Sequence, residues 1–293
     1  MRLTEEQRDR LLINHGFSES DIQESYHYIR QFRFAKVIIK YGGAALNNSD
    51  FSDEFLKDVA TLKIMNIDVI LVHGGSLQLN ALMQKKGLQP QIINGMRVTD
   101  QQTLELAIQA FGQVNNKIVR ALLKEGIRAS SLKGEKSGLI MAKQCGKPEL
   151  GFVGEVEQVN LEVLEALPGN RLPVMTCLGR GRDGQVYNIN ADHVASALAI
   201  EMQAQKFVCL SDVDGVLFDR DDPKSLIPSL NARMVEEYIQ TGIINAGMIP
   251  KVKSAIDMLE GGVDKVHIIN GTRKHSLLFE ILTDRGIGTE IIL

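Results

Sequence analysis

The sequence predicts an α/β fold, a three-layer αβα sandwich with a mainly parallel central sheet. Short apolar runs alternate with stretches of helical spacing, the pattern of strands covered by their connecting helices. Several apolar runs end on glycine, which strand-to-helix turns favour. A length of 293 residues suits one compact domain or two close lobes.

The first 34 residues read as a helical extension. Thr4 with Gln7, and Ser20 with Gln23, have capping-box spacing. Ile22, Tyr26, Ile29 and Phe32 form an apolar stripe, which either packs on its own domain or exchanges with another subunit. The main body, 35–293, opens with a strand over 37–39. Phe51, Phe55, Val59 and Leu62 recur at helical spacing before a second strand over 67–72. A longer helix carries Leu104, Ile108, Phe111, Ile118 and Leu122, and a strand follows over 172–177. The Gly-rich, charged string LGRGRDGQ at 178–185 is the expected hinge between lobes 35–185 and 186–293. Beyond it, Ala195, Leu198 and Met202 mark a helix after Asp192, and strands are expected over 207–210 and 263–269.

Composition removes several function classes. A net charge of −3 offers no global attraction to nucleic acid or to an anionic membrane. No segment holds 18 consecutive apolar residues, and the start, MRLTEEQRDRLL, is too charged for a signal peptide. Cys145, Cys177 and Cys209 are widely spaced with no CxxC, which points to free thiols and a reducing cytoplasm. The six histidines show none of the paired spacings of a metal site, so no metal ligand is named.

Three glycine-bearing strand ends carry the chemical signal: Lys40-Tyr41-Gly42-Gly43, His73-Gly74-Gly75 and Asp212-Val213-Asp214-Gly215. Ligands in α/β sheets bind outside the carboxyl ends of strands, where glycine lets main-chain N–H groups approach phosphate oxygens. Lys40 and Lys251 sit beside such turns. Each is either a solvated surface lysine or a compact positive charge for a transferring phosphoryl group. Asp192 either caps its helix or holds a lysine in place. Arg97 is either one half of a surface ion pair or a bidentate clamp for a carboxylate. His73, with no nucleophile beside it, reads as a structural turn residue. The chain has neither a Walker A string nor a GxSxG elbow.

Eight strings in order, KYGG at Lys40, VHGG at Val72, NGMRVTD at Asn94, NINAD at Asn188, SDVDGV at Ser211, AGMIPKV at Ala246, HIINGTRKHSLL at His267 and GIGT at Gly286, resemble the amino acid kinase family. The likeness is to those members that phosphorylate the γ-carboxylate of N-acetyl-L-glutamate with ATP and Mg²⁺. It implies the carbamate kinase-like fold, with an acyl-amino-acid and phosphoryl lobe followed by a nucleotide lobe. It also implies that Lys40 and Lys251 stabilise the transferring phosphoryl from opposite sides and that Asp192 organises them. Gly43, Gly74 and Gly75 would offer main-chain amides, and Arg97 and Asn188 would bind the α-carboxylate side of the acyl-amino acid. Ser211, Asp212, Val213, Asp214, Gly215, Val216, Leu217, Ile243, Ile244, Asn245 and Met248 would line the nucleotide pocket.

The N-terminal segment resembles the extension of arginine-inhibited hexameric members, which assemble as trimers of dimers. It implies an oligomerisation role for residues 1–34 and an arginine site near His267, Glu280 and Gly286. Three places depart from the family pattern. His73-Gly74-Gly75 continues as Ser76-Leu77 where HGGGP is usual, the string SSLKGEKSGLI at 130–140 lacks the usual motif, and Asn270 replaces a common aspartate. A serine at positive φ would add strain beside the reacting groups. These departures bear on rate and substrate rather than fold. They leave a kinase for another acyl-amino acid, such as an aminoadipate derivative, and a non-catalytic arginine- or ATP-binding subunit as alternatives.

Overall fold

A computed structural model describes residues 3–42, 49–93, 95–168, 170–245, 247–284 and 286–293, and only the backbone of 49–52. Gly43, one of the expected site glycines, lies outside them. In chain order the elements begin with α1 (Glu5–Asn14), α2 (Glu19–Gln31), β1 (Lys36–Tyr41), α3 (Ser49–Ile64), β2 (Asp68–His73) and α4 (Ser76–Lys85). There follow β3 (Ile92–Ile93), β4 (Met96–Arg97), α5 (Gln101–Lys124), β5 (Ala129–Leu132), α6 (Gly134–Ser137), β6 (Ile140–Gln144) and β7 (Gly154–Val159). Next come α7 (Glu162–Glu165), β8 (Leu172–Thr176), β9 (Leu178–Arg180), β10 (Val186–Asn188), α8 (Ala191–Glu201) and β11 (Lys206–Ser211). The chain ends with β12 (Ser229–Asn231), α9 (Ala232–Gln240), α10 (Ile249–Glu260), β13 (Val266–Asn270), α11 (Ser276–Leu282) and β14 (Thr289–Ile292).

Eight of these strands hydrogen-bond in the order β12-β14-β13-β11-β1-β2-β8-β5. The β11–β13, β12–β14, β2–β8 and β5–β8 pairs are parallel and β13–β14 is antiparallel. With helices on both sides, this is the α/β architecture the sequence predicts. The strand interiors 37–39, 69–72 and 207–210 are buried, as expected where helices cover both faces of a parallel sheet.

The chain divides into two compact units, one of Met1–Ile39, Ala44–Val69 and Gln203–Leu293, the other of Lys40–Gly43 and Ile70–Met202. In the first unit α11 packs against α2 and α3. Thr4 and Gln7 form the expected capping box on α1. The second box is Ser18 with Asp21 rather than Ser20 with Gln23, because the chain enters α2 two residues earlier. Ile22, Ile29 and Phe32 of the stripe are buried, and Phe17 stacks on Phe279 with ring centroids 4.5 Å apart. Tyr26 turns instead to α1, its hydroxyl donating to Asp9 at 2.6 Å. Tyr28 donates to Asp284, and Glu24 accepts from the Asp284 N–H. Among the described residues of this chain, the stripe therefore packs on its own unit.

In the second unit α5 buries Leu104, Phe111, Ile118 and Leu122 and packs against α4, β5 and β8. A second, four-stranded sheet has the order β10-β9-β6-β7. The expected hinge belongs to it. Residues 178–188 form a β-hairpin, β9 paired antiparallel to β10, with Gly181 N donating to Gln185 O at 2.7 Å and Gly184 at φ +85°. The glycines serve the hairpin turn, and the string GxGxxG formed by residues 179–184 opens no helix. The chain leaves this unit at Met202.

Candidate active site

The second unit holds one group of candidate residues. Lys40 is the penultimate residue of β1 and its Nζ pairs with Asp192 Oδ1 at 2.9 Å. The lysine side chain is 14% exposed and the aspartate 44%, so the lysine approaches its partner from a largely dry position. Asp192 does not cap α8. Asn190 does, its side chain accepting from Asp192 N at 2.9 Å. Asp192 therefore stands in the first turn, where the helix dipole favours an anion, with its carboxylate turned to the lysine. The neighbouring Cys177 thiol is pushed up to about 12 by burial and remains protonated.

At the end of β2, His73 is fully buried and neutral, its pKa drawn down to about 4 by burial. Asn115 Nδ2 donates to Nε2 at 3.0 Å, which leaves Nδ1–H to donate to the Gly74 carbonyl at 2.8 Å. Asn115 is itself held by Val174 O and by the Ser131 hydroxyl. The histidine thus ties back the carbonyl of the glycine turn. Gly75 is the N-cap of α4 and offers no side-chain cap, so the first N–H groups of that helix are left to an external acceptor. A Cβ on Gly75 would sit 2.6 Å from the Phe111 ring, whereas one on Gly74 would meet only Ala191 at 3.7 Å. Ser76 occupies the first helical position and is not among the positive-φ residues. The strain expected of a serine there does not arise, because the position that follows Gly75 is helical.

Arg97 and Asn188 are brought together through a residue the sequence reading missed. Asn188 Nδ2 donates to Thr99 Oγ1 at 3.1 Å, and that hydroxyl donates to the Arg97 carbonyl at 3.0 Å. Met96 and Val98 pack against buried Cys145, Leu150 and Val153, which turns Arg97 to the opposite side of the chain. Its guanidinium meets neutral acceptors, Asn80 Oδ1 at 2.6 Å and Met83 Sδ at 3.4 Å. Half-burial lowers its pKa, and among the described residues it forms no ion pair. A half-desolvated guanidinium with no carboxylate partner favours an anionic ligand.

The first unit holds the other group. Lys251 lies in the first turn of α10, whose N-cap, Met248, gives no side-chain hydrogen bond. A cation at that end opposes the helix dipole, and an anion bound there relieves both. Its Nζ donates to Ser211 Oγ at the end of β11, 2.7 Å away. Asp212 and Val213 are exposed, Asp214 and Leu217 half-buried, and Gly215 and Val216 buried. Gly215, at φ +153°, fits tightly under Thr289, whose hydroxyl also accepts from Val216 N at 2.8 Å. Ile244 and Met248 are buried, and Asn245 caps the following turn, accepting from Met248 N through its carbonyl. Asn270 donates to Asp214 at 2.9 Å and accepts from Thr272 N and Oγ1. An aspartate at 270 would lack that donor, so asparagine fits the partner this chain provides.

His267, Glu280 and Gly286 also meet in the first unit. His267 Nδ1–H donates to Glu280 Oε1 at 2.7 Å, and Nε2 accepts from Lys206 Nζ at 3.3 Å. Burial lowers the pKa of His267 and draws Lys206 down to about 8. Glu280 stays low despite its burial because His267 and the Ile287 and Gly288 N–H groups all donate to it. Gly286 lies next to Glu280 Oε2.

A model of the amino acid kinase family matches residues 35–270. The chain belongs to the amino acid kinase family, and it is a kinase. The acetylglutamate kinase of Symbiobacterium thermophilum is 43% identical to it over 92% of this chain and 96% of the relative. That of Nostoc sp. is 41% identical over 92% of each chain, and that of Aquifex aeolicus 41% over 93% and 96%. Among solved structures, an N-acetylglutamate synthase from Neisseria gonorrhoeae, complexed with coenzyme A and N-acetyl-glutamate, is similar with a TM-score of 0.84 and 27% identity. The match covers 94% of this chain, which spans 64% of the synthase, under two thirds of its length. A carbamate kinase from Giardia lamblia bound to AMP-PNP shares the fold, with a TM-score of 0.62 and 14% identity over 88% of this chain and 98% of its own.

Proposed function

We propose that this kinase transfers the γ-phosphoryl group of ATP, delivered with Mg²⁺, to the γ-carboxylate of N-acetyl-L-glutamate. The product is N-acetyl-L-glutamyl 5-phosphate, an acyl phosphate early in arginine biosynthesis. The observation that carries the substrate assignment is Arg97, a half-buried guanidinium held by Asn80 and Met83 and lacking a carboxylate partner among the described residues. Arg97 clamps the α-carboxylate, with Asn188 beside it. The acetylglutamate kinase relatives support the same substrate.

Phosphoryl transfer needs positioning and charge neutralisation more than covalent chemistry. In this proposal Lys40, oriented by Asp192, and the amides of Gly74, Gly75 and the first turn of α4 neutralise the transferring group. Lys251, backed by the N-terminus of α10, neutralises charge on the nucleotide side. Mg²⁺ enters as part of the nucleotide substrate. Residues 211–217, Ile243, Ile244, Asn245 and Met248 hold ATP.

A regulatory part completes the proposal: arginine binds near His267, Glu280 and Gly286, and the N-terminal helices join dimers into a hexamer. The sequence resemblance supports it. The hydrogen bonds of Glu280 set a condition, since Oε2 already accepts from two backbone N–H groups and Oε1 from His267, which leaves an incoming guanidinium the second lone pair of Oε1.

The test is coupled ADP release with N-acetylglutamate, glutamate, aspartate and N-acetylaminoadipate side by side, with and without arginine. Turnover confined to N-acetylglutamate supports the reading. Faster turnover of N-acetylaminoadipate assigns another substrate, and ATP binding without turnover assigns a regulatory subunit. Activity indifferent to millimolar arginine, or a stable dimer in gel filtration, removes the regulatory part alone.

A further inference from the structure

In the first unit, three side chains that serve neither the proposed phosphoryl transfer nor the proposed arginine site meet from distant parts of the chain. They are His15, the C-cap of α1; Asp58, on α3; and His275, the N-cap of α11. One ligand atom from each lies within 4.8 Å of the other two. His275 Nδ1 is 2.7 Å from Asp58 Oδ1, and His15 Nε2 is 4.0 Å from the same oxygen. His15 and Asp58 are buried.

The remaining nitrogen of each ring is already engaged. His15 Nδ1 lies 2.7 Å from the Leu11 carbonyl, which takes its N–H and leaves Nε2 as a lone pair aimed into the cluster. His275 Nε2 lies 3.4 Å from Glu54 Oε2, and Glu54 is anchored by Lys57 at 2.9 Å. Histidines that bind metal through one nitrogen characteristically donate from the other to a backbone carbonyl or a carboxylate, and both arrangements are present here. His275 also adopts a left-handed backbone, φ +56°, which is uncommon outside glycine.

We infer that His15 Nε2, Asp58 Oδ1 and His275 Nδ1 form a divalent transition-metal site, best suited to Zn²⁺, which pins the N-terminal helix α1 to α3 and α11. Two imidazoles and a carboxylate are a ligand set that Zn²⁺ accepts, with water or the nearby Thr61 hydroxyl, 3.4 Å from His15 Nε2, at the fourth position. Zinc–ligand distances near 2.1 Å place tetrahedral ligand atoms about 3.4 Å apart. The present separations bracket that value, so modest side-chain rotations close the site. Its role is structural, since none of the three residues belongs to the proposed kinase machinery.

The experiment uses the full chain, stripped with chelator and dialysed against Zn²⁺ or Co²⁺ alone. Expected are one metal per chain by elemental analysis and a visible ligand-field band of four-coordinate strength with Co²⁺. The metal should raise the melting temperature and slow amide exchange in α1. His15→Gln and His275→Gln should abolish the band and the stabilisation. Glu54→Gln, which leaves the ligands intact, should weaken affinity about 10–100-fold. Circular dichroism and kinase activity of each variant report whether it is folded, and activity should be unchanged. Failure of the wild-type chain to take up metal overturns the inference. So does equal uptake by His15→Gln, or a Glu54→Gln affinity equal to wild type.

Discussion

The buried imidazole of His73 makes a prediction whose size follows from its surroundings. Its pKa is about 4, against about 6.5 in an unfolded chain. Between those values the unfolded chain binds a proton that the folded chain refuses, so folding is weakened as pH falls through 6.5 towards 4. The term is about 0.2 kcal/mol at pH 7, about 2 kcal/mol at pH 5, and levels near 3 kcal/mol below pH 4. The perturbation is His73→Gln, which removes the titrating ring and keeps a polar side chain beside Asn115 and the Gly74 carbonyl. The assay is urea unfolding of both proteins at pH 7 and pH 5. The variant starts less stable, but its loss between the two pH values should be smaller than wild type by about 2 kcal/mol. The other titrating groups, Asp58 and Glu280 among them, contribute alike to both proteins and cancel. Equal losses in the two proteins, with unchanged denaturant slopes, refute the assignment of a buried neutral histidine.

Three further outcomes follow from single contacts. Arg97→Lys keeps the charge but loses the planar fork, so KM for the acyl-amino acid should rise about 10–100-fold with kcat little changed, as initial rates will show. Gly75→Ala drives a methyl against Phe111 and should cost about 1–3 kcal/mol in chemical unfolding, whereas Gly74→Ala should stay within about 0.5 kcal/mol of wild type. Asn270→Asp turns a hydrogen bond to Asp214 into a carboxylate facing a carboxylate, only partly offset by Arg273 at 3.5 Å. ATP binding followed by calorimetry should weaken by about 1–3 kcal/mol.

Most of the sheet was legible because buried parallel strands are written as apolar runs. Strands β1, β2, β8, β11 and β13 fall on the five apolar runs, with ends differing by no more than three residues. The short strands β3, β4, β9, β10 and β12 carry two or three residues each, too few for a periodic signal. The 178–185 string is ambiguous because glycine marks a hairpin turn and a hinge alike. Ser20 and Gln23 have the right spacing for a cap, but Ser18 and Asp21 have it too, and the entry of the chain decided between them. At the site, the pairing of Asp192 with a lysine was one of two readings its position allowed, the helix cap being the other, and Arg97 and Asn188 stood out as polar positions in recognisable strings. What joins or supports them, Thr99, Asn80 and Asn115, is ordinary in sequence and acts only through contacts made on folding. The cluster of His15, Asp58 and His275 was hidden for the same reason, its members being separated by some 40 and 220 residues.

The assembly of the first unit from three stretches of chain sets an order of events during synthesis. Strand β1 and helix α3 leave the ribosome long before β11, β13 and α11 exist to cover them. The 224 residues after Val69 take roughly ten to forty-five seconds to translate. Over that interval the apolar surface of β1 lacks its β11 neighbour, α2 lacks its α11 partner, and Phe17 lacks the Phe279 ring on which it stacks. The second unit is nearly continuous in sequence and has all of its residues once Met202 has emerged. A nascent chain halted before α11 therefore presents an unfinished half to chaperones, and the carboxyl-terminal segment supplies the closing contacts that retire it from their care.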